Sequence, residues 1–151
     1  MSLETIELWH RRARPEPTDY DFQVQLGCHL EEVLEMLGVI GIRGDDPRID
    51  QWLHLLRTAF EALEGLADAL KQGRLRVEIM DRKQLLDALA DQIVTAIGVG
   101  HCAEMRTAEA VVRVNTSNWT KFGQDGMPIR DANGKIAKGP GYQPPNLEGC
   151  Y

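Results

Sequence analysis

The chain has 151 residues, 43% of them hydrophobic and 26% charged, with a formal net charge of −6; this length suits one compact domain, and this balance excludes a disordered chain. Net acidity excludes a general nucleic-acid binder, so an anionic partner needs a local basic patch or a bridging cation. Met1 to Ala13 mixes Glu4, Glu7, Arg11 and Arg12 among its apolar residues and no apolar run approaches membrane-spanning length, so the expectation is a cytoplasmic protein with no membrane partner. Cys28, Cys102 and Cys150 are odd in number and far apart, which suggests neither a disulfide framework nor a zinc site.

Apolar residues recur at spacings of three and four through the first 118 positions, which predicts an all-α body. Residues 3–13 form a short helix that stops before Pro15 and Pro17. Thr18 or Asp19 caps a longer helix to about Ile40, with Phe22, Leu26, Leu30, Val33, Leu37 and Ile40 on one side. Asp46 as cap and Pro47 in the first turn open a third helix to about Lys71, with a core stripe of Trp52, Leu55, Leu56, Ala59, Leu63 and Leu66. A fourth runs from about Arg82 to Glu104 on a core face of Leu86, Ala90, Ile93, Val94 and Ile97. A fifth runs from Thr107 to Phe122, with Gly123 as its stop. Beyond it the chain turns Gly- and Pro-rich. Asn133-Gly134 between two short apolar alternations predicts a small hairpin, followed by a tail that lies over the helices, contributes to a site or is disordered. The expected organisation is one domain, with a helical body over about 19–122 and hairpin and tail over about 123–151.

Within "HLEEVLEML", residues 29–37, Glu31, Glu32 and Glu35 project from one side of the second helix at i,i+3 and i,i+4 spacing, opposite its apolar stripe. Such a cluster is either a solvated face or a cation site. In the fourth helix Asp87 and Asp91 stand one turn apart and border the expected core. There a carboxylate pair is costly unless it is protonated, paired or metal-bound, and Asp is a poor residue inside a helix. Their alternative is a partly wetted edge. Oxygen donors without an accompanying His or Cys suit Mg²⁺ or Mn²⁺. A di-iron bundle would call for Glu-x-x-His on two helices. His29 and His101 are left out of the metal shell as core or edge residues.

An "EExxE" helix followed, after one intervening helix, by an acidic pair in an "ALAD" helix resembles the MazG-like all-α nucleoside triphosphate pyrophosphohydrolases, relatives of phosphoribosyl-ATP pyrophosphohydrolase and the dimeric dUTPases. Residues 114–147, "VNTSNWTKFGQDGMPIRDANGKIAKGPGYQPPNL", are similar to the C-terminal signature of phage-type members: a Ser-Asn-x-x-Lys-Phe helix end, a Gly-Lys-x-x-Lys-Gly-Pro hairpin and a Pro-rich tail. The chain departs from the common Glu-x-x-Asp pair, because Ala88 stands three residues before Asp91 and the acid is at Asp87. Asp91 is therefore the expected ligand, and Asp87 binds through water or orients a ligand.

The resemblance implies a four- to five-helix bundle and hydrolysis of a (deoxy)nucleoside triphosphate to the monophosphate and pyrophosphate, with a purine nucleotide such as dGTP or dATP as the first candidate. It also implies homodimers or homotetramers built as dimers of dimers, a tail that crosses to a neighbouring subunit, and a role in nucleotide-pool control. Mg²⁺ (or Mn²⁺) held by Glu32, Glu35 and Asp91, with support from Glu31 and Asp87, is the implied cofactor; Glu31 and Glu35 are the expected catalytic residues, with Glu31 as proton acceptor. Alternatives are dUTP or dCTP on the same fold, and a non-catalytic helical metal- or nucleotide-binding module.

The substrate side follows from charge and spacing. From Arg106 to Lys138 the basic residues Arg106, Arg113, Lys121, Arg130, Lys135 and Lys138 outweigh Glu109, Asp125 and Asp131, a local balance of +3 in an acidic chain. Asn115, Asn118 and Phe122 share a helical face, and Asn115 is either a ligand or an exposed polar residue. Lys121 either binds substrate or offsets the helix dipole, and Trp119 either stacks on a base or packs under the tail. By resemblance, Asn118 and Lys121 contact the nucleotide, and Lys138 and Tyr142 reach it from the tail.

Overall fold

The computed structural model describes residues 3–131 and 136–151. Among them are five helices and no named strand: α1 (Leu3–Ala13), α2 (Asp19–Gly38), α3 (Ile49–Lys71), α4 (Arg82–Cys102) and α5 (Thr107–Trp119). The protein is all-α, as its apolar spacing predicts. The helices belong to two compact units, one of residues 17–78 and one of residues 1–16 with 79–151.

The first unit is the α2–α3 pair. Thr18 starts α2 through a reciprocal capping box, in which its hydroxyl accepts from the Asp21 N–H at 3.2 Å and the Asp21 carboxylate accepts from the Thr18 N–H at 3.0 Å. Asp46 does not cap α3. Its carboxylate accepts from the Arg48 N–H at 2.8 Å, closing a turn before the helix, so α3 begins at Ile49 with Arg48 at the cap position. The inward face of α3 also differs from the expected stripe. Its half-buried and buried apolar residues include Leu53, Leu56, Phe60, Leu63, Ala67, Ala69 and Leu70, whereas Trp52, Leu55, Ala59 and Leu66 are exposed. The apolar arc of α3 is wider than one partner helix covers, and so the sequence pattern fits either edge of it. Leu70 is only 1% exposed. The two helices come closest at Gly27, where a Cβ would lie 2.8 Å from the Ala67 carbonyl oxygen and 2.9 Å from Lys71 Cγ. On α2 the buried positions are Gln23, Val24, Gly27 and Leu34; the expected residues Phe22, Leu26, Leu30, Val33 and Leu37 are half-buried and Ile40 is exposed.

In the second unit, α1 packs on α5. Trp9 donates its indole N–H to the Asn118 carbonyl at 2.9 Å and meets the Phe122 ring edge-on at 5.9 Å. Asp81 caps α4, its carboxylate accepting from the N–H groups of Lys83 at 2.8 Å and Gln84 at 3.0 Å. α4 meets α5 at its C-terminal end, where Gly100 lies against Thr107. The residues expected to form the core face of α4 are exposed. Leu86 is 69% and Val94 67% exposed, Ala90, Ile93 and Ile97 are exposed as well, and Gly100 is the one buried residue of α4.

α5 ends at Trp119, three residues before the expected end at Phe122, because the next N–H groups bond back three residues: Thr120 to Ser117, Lys121 to Asn118 and Phe122 to Trp119. The chain then folds on itself, with isolated antiparallel bridges of Phe122 to Pro128 and Arg130 to Ile136. The second brackets the expected hairpin, whose Asn133-Gly134 turn, like Lys135, lies outside the described residues; the first closes a separate turn over residues 123–127. The tail, which the resemblance sends to a neighbouring subunit, lies along α5 of its own chain.

Candidate functional site

The three glutamates of α2 have different surroundings. Glu32 and Glu35 are exposed, whereas Glu31 is half-buried and pairs through Oε1 with Lys71 Nζ at the end of α3. Lys71 also reaches Asp68 Oδ1 at 3.1 Å, and its side chain is only 19% exposed. The hydrogen bond to Glu31, reinforced by Asp68 and opposed by burial, pushes the Lys71 ammonium above the usual lysine range. Sequence reasoning missed Lys71 as a partner of Glu31. Forty residues separate the two, and a lysine in the last turn of a helix reads as a dipole complement. The close approach at Gly27 joins them.

On α4, Asp87 and Asp91 are exposed, whereas their place beside an apolar stripe predicts a costly, half-buried pair. The Thr95 hydroxyl donates to the Asp91 backbone carbonyl at 2.8 Å and leaves the carboxylate alone. Among the described residues, no three His, Cys, Asp or Glu side chains converge as a metal site. The donor set suits a hard cation by its chemistry, since Glu32, Glu35, Asp87 and Asp91 are exposed oxygen donors. Glu31 fits less well, because an ammonium already holds one of its oxygens.

The substrate-side residues are partly assembled. Lys121 Nζ lies 5.9 Å and Lys138 Nζ 5.1 Å from the centroid of the Tyr142 ring, so a residue at the end of α5 and two from the tail meet in one cluster. Asn115 does not join them. It is 3% exposed, and its amide donates to Thr5 Oγ1 of α1 at 3.1 Å. Asn118 is half-buried and offers its backbone carbonyl to Trp9. Trp119 stacks on Phe122 at 5.3 Å, which gives it a packing contact.

Three of the cations counted in this region are engaged elsewhere. Arg113 donates to the carbonyls of Asn146 and Glu148, each at 2.9 Å, and pairs with Glu109 at 2.5 Å. Arg106 pairs with the other oxygen of Glu109 at 2.8 Å and donates to the Gly149 carbonyl at 2.8 Å. Arg130 donates to the Ala13 carbonyl at 2.6 Å. The basic excess of this segment therefore includes cations that tie the tail and α1 in place. Between α5 and the tail lies an open cleft of about 420 Å³ lined by Ser117, Thr120 and residues 143–146. No helix among the described residues is long and apolar enough to cross a membrane. Comparison of the chain with protein-family models, with curated proteins and with solved structures finds no match.

Proposed function

We propose that this protein hydrolyses a (deoxy)nucleoside triphosphate to the monophosphate and pyrophosphate, with a purine deoxynucleotide as first candidate. The observation that carries the proposal is the meeting of Lys121 and Lys138 on the Tyr142 ring, a concentration of positive charge in an acidic chain at residues singled out by their likeness to pyrophosphohydrolase motifs. A triphosphate bears nearly four negative charges near neutral pH, and two ammonium groups on one ring offer direct partners for its oxygens.

The carboxylates proposed to hold Mg²⁺ (or Mn²⁺) are Glu32 and Glu35 of α2 and Asp91 of α4, with Asp87 in support. When bound, such a cation neutralises phosphate oxygens and acidifies a water. In the proposed step the water oxygen attacks the α-phosphorus and the bond to the bridging oxygen breaks, releasing pyrophosphate. Glu35 accepts the proton and is preferred to Glu31, one of whose oxygens is held by Lys71. Lys121 and Lys138 hold the phosphates, while Asn118 is kept as a nucleotide contact by resemblance alone. The assembly is proposed to be a homodimer or a dimer of dimers, and the exposed apolar face of α4 supports it.

Glu35→Gln and Asp91→Asn test the proposal. Each is expected to lower metal-dependent turnover by at least about 100-fold with helix content unchanged by circular dichroism. Full activity in both variants would remove these carboxylates from the mechanism.

A further inference from the structure

The segment that carries Tyr142 is fixed by two hydroxyls of α5 and its end. Ser117, 5% exposed, donates through Oγ to the Gln143 carbonyl at 2.5 Å. Thr120 Oγ1 accepts from the Gln143 N–H at 2.8 Å and donates to the Ser117 carbonyl at 2.7 Å. Both backbone groups of Gln143 are therefore held from one side. Gln143 directly follows Tyr142 in the chain, and Thr120 directly precedes Lys121. The backbone clamp thus sits one residue away from each of two members of the lysine–tyrosine cluster. Farther along, Arg113 and Arg106 hold the carbonyls of residues 146, 148 and 149, which keeps the rest of the tail on α5.

We infer that Thr120 and Ser117 are positioning residues: their hydroxyl clamp on the Gln143 backbone holds the Tyr142 ring beside both Lys121 and Lys138 and so fixes the placing of the two ammonium groups that receive the polyphosphate. The inference rests on the proposed role of that cluster. Both hydroxyls are engaged with backbone groups. A lysine side chain has four rotatable bonds, and an ammonium that must find its place at each binding event forfeits affinity in ordering cost. Tyr142 offers each lysine a ring face as a resting place, but only while the clamp holds the ring beside α5. Thr120→Val keeps the side-chain shape and removes both the acceptor for the Gln143 N–H and the donor to Ser117. Thr120→Ser keeps both.

The test uses the full chain with Mg²⁺, inorganic triphosphate as probe in isothermal titration, and KM and kcat for the nucleotide turned over. Thr120→Val is expected to weaken triphosphate binding and raise KM by on the order of tenfold, with kcat changed far less, while Thr120→Ser stays near wild type. Gln143→Pro deletes the same donor from the tail side with α5 intact, and serves if Thr120→Val does not fold; it is expected to raise KM in the same way. Lys121→Ala and Lys138→Ala run in parallel. Weaker binding in the lysine variants together with unchanged binding in Thr120→Val and Gln143→Pro overturns the clamp and leaves the cluster as the polyphosphate site. Unchanged binding in both lysine variants overturns the cluster and the clamp together. A Thr120→Val protein whose thermal midpoint falls while KM and triphosphate affinity hold also overturns the inference, because it leaves the clamp a purely structural part.

Discussion

Gly27→Ala is the sharpest test of how the carboxylate face of α2 is held. A Cβ there meets the Ala67 carbonyl oxygen at 2.8 Å and Lys71 Cγ at 2.9 Å. The first contact is backbone, and α3 can relieve it only by moving away from α2. The second can yield, but the lysine that moves is the one paired with Glu31 and Asp68. Overpacking of this kind costs about 1–3 kcal/mol, and a loosened, partly exposed ion pair adds up to about 1 kcal/mol. Ala gains about 1 kcal/mol over Gly inside a helix, so the net expectation is a loss of about 1–2 kcal/mol. Gly65→Ala is the internal control: it sits within α3 with nothing within 4 Å of its Cβ position, and the helix gain of about 1 kcal/mol remains. Equilibrium urea unfolding followed by circular dichroism measures both. The two substitutions are expected to differ in sign, and a Gly27→Ala protein stabilised as much as Gly65→Ala would refute the close approach of the two helices.

The other expectations concern charge and assembly. Lys71 has a folded-state pKa above its usual value, so the stability it contributes is complete below the usual lysine range and is lost as pH rises through the raised value. Lys71→Met should flatten the fall of the urea midpoint in that alkaline window, and an unchanged slope would show that the Glu31 pair contributes nothing. Val94→Lys places a charge on the exposed apolar face of α4. If that face joins copies of the chain, a buried lysine there costs several kcal/mol and the assembly dissociates to monomers, which sedimentation equilibrium would show; an unchanged mass sets the interface elsewhere.

The helices were legible because their signals are local. Thr18 with Asp21 gives a capping box, Pro15 and Pro17 stop α1, and α1 runs from Leu3 to Ala13 as its spacing predicts. Asp46 misled because an Asp two residues before a backbone N–H can close a turn as readily as it caps a helix. The inward face of α3 could not be chosen from sequence, because Trp52, Leu55 and Leu66 continue the apolar arc past the edge that α2 covers. In the candidate site the sequence pointed to Lys121, Lys138 and Tyr142 through motif likeness, and these three meet. Spacing and charge gave no sign that Arg106 and Arg113 are held by Glu109 and tail carbonyls. Asn115 shares a helical face with Asn118 on paper, yet α1 covers it through Thr5. Contacts between residues distant in the chain decided these cases, and spacing along one helix carries no record of them.

The central claim is cleavage of a nucleoside triphosphate into monophosphate and pyrophosphate. Its most direct test is a panel of dATP, dGTP, dCTP, dTTP and dUTP incubated with the full chain in Mg²⁺, in Mn²⁺ and in chelator, with products followed by phosphorus NMR. Equimolar monophosphate and pyrophosphate are expected from at least one nucleotide in the presence of metal, and none in chelator. Release of orthophosphate instead, or no turnover of any nucleotide with either metal, would contradict it.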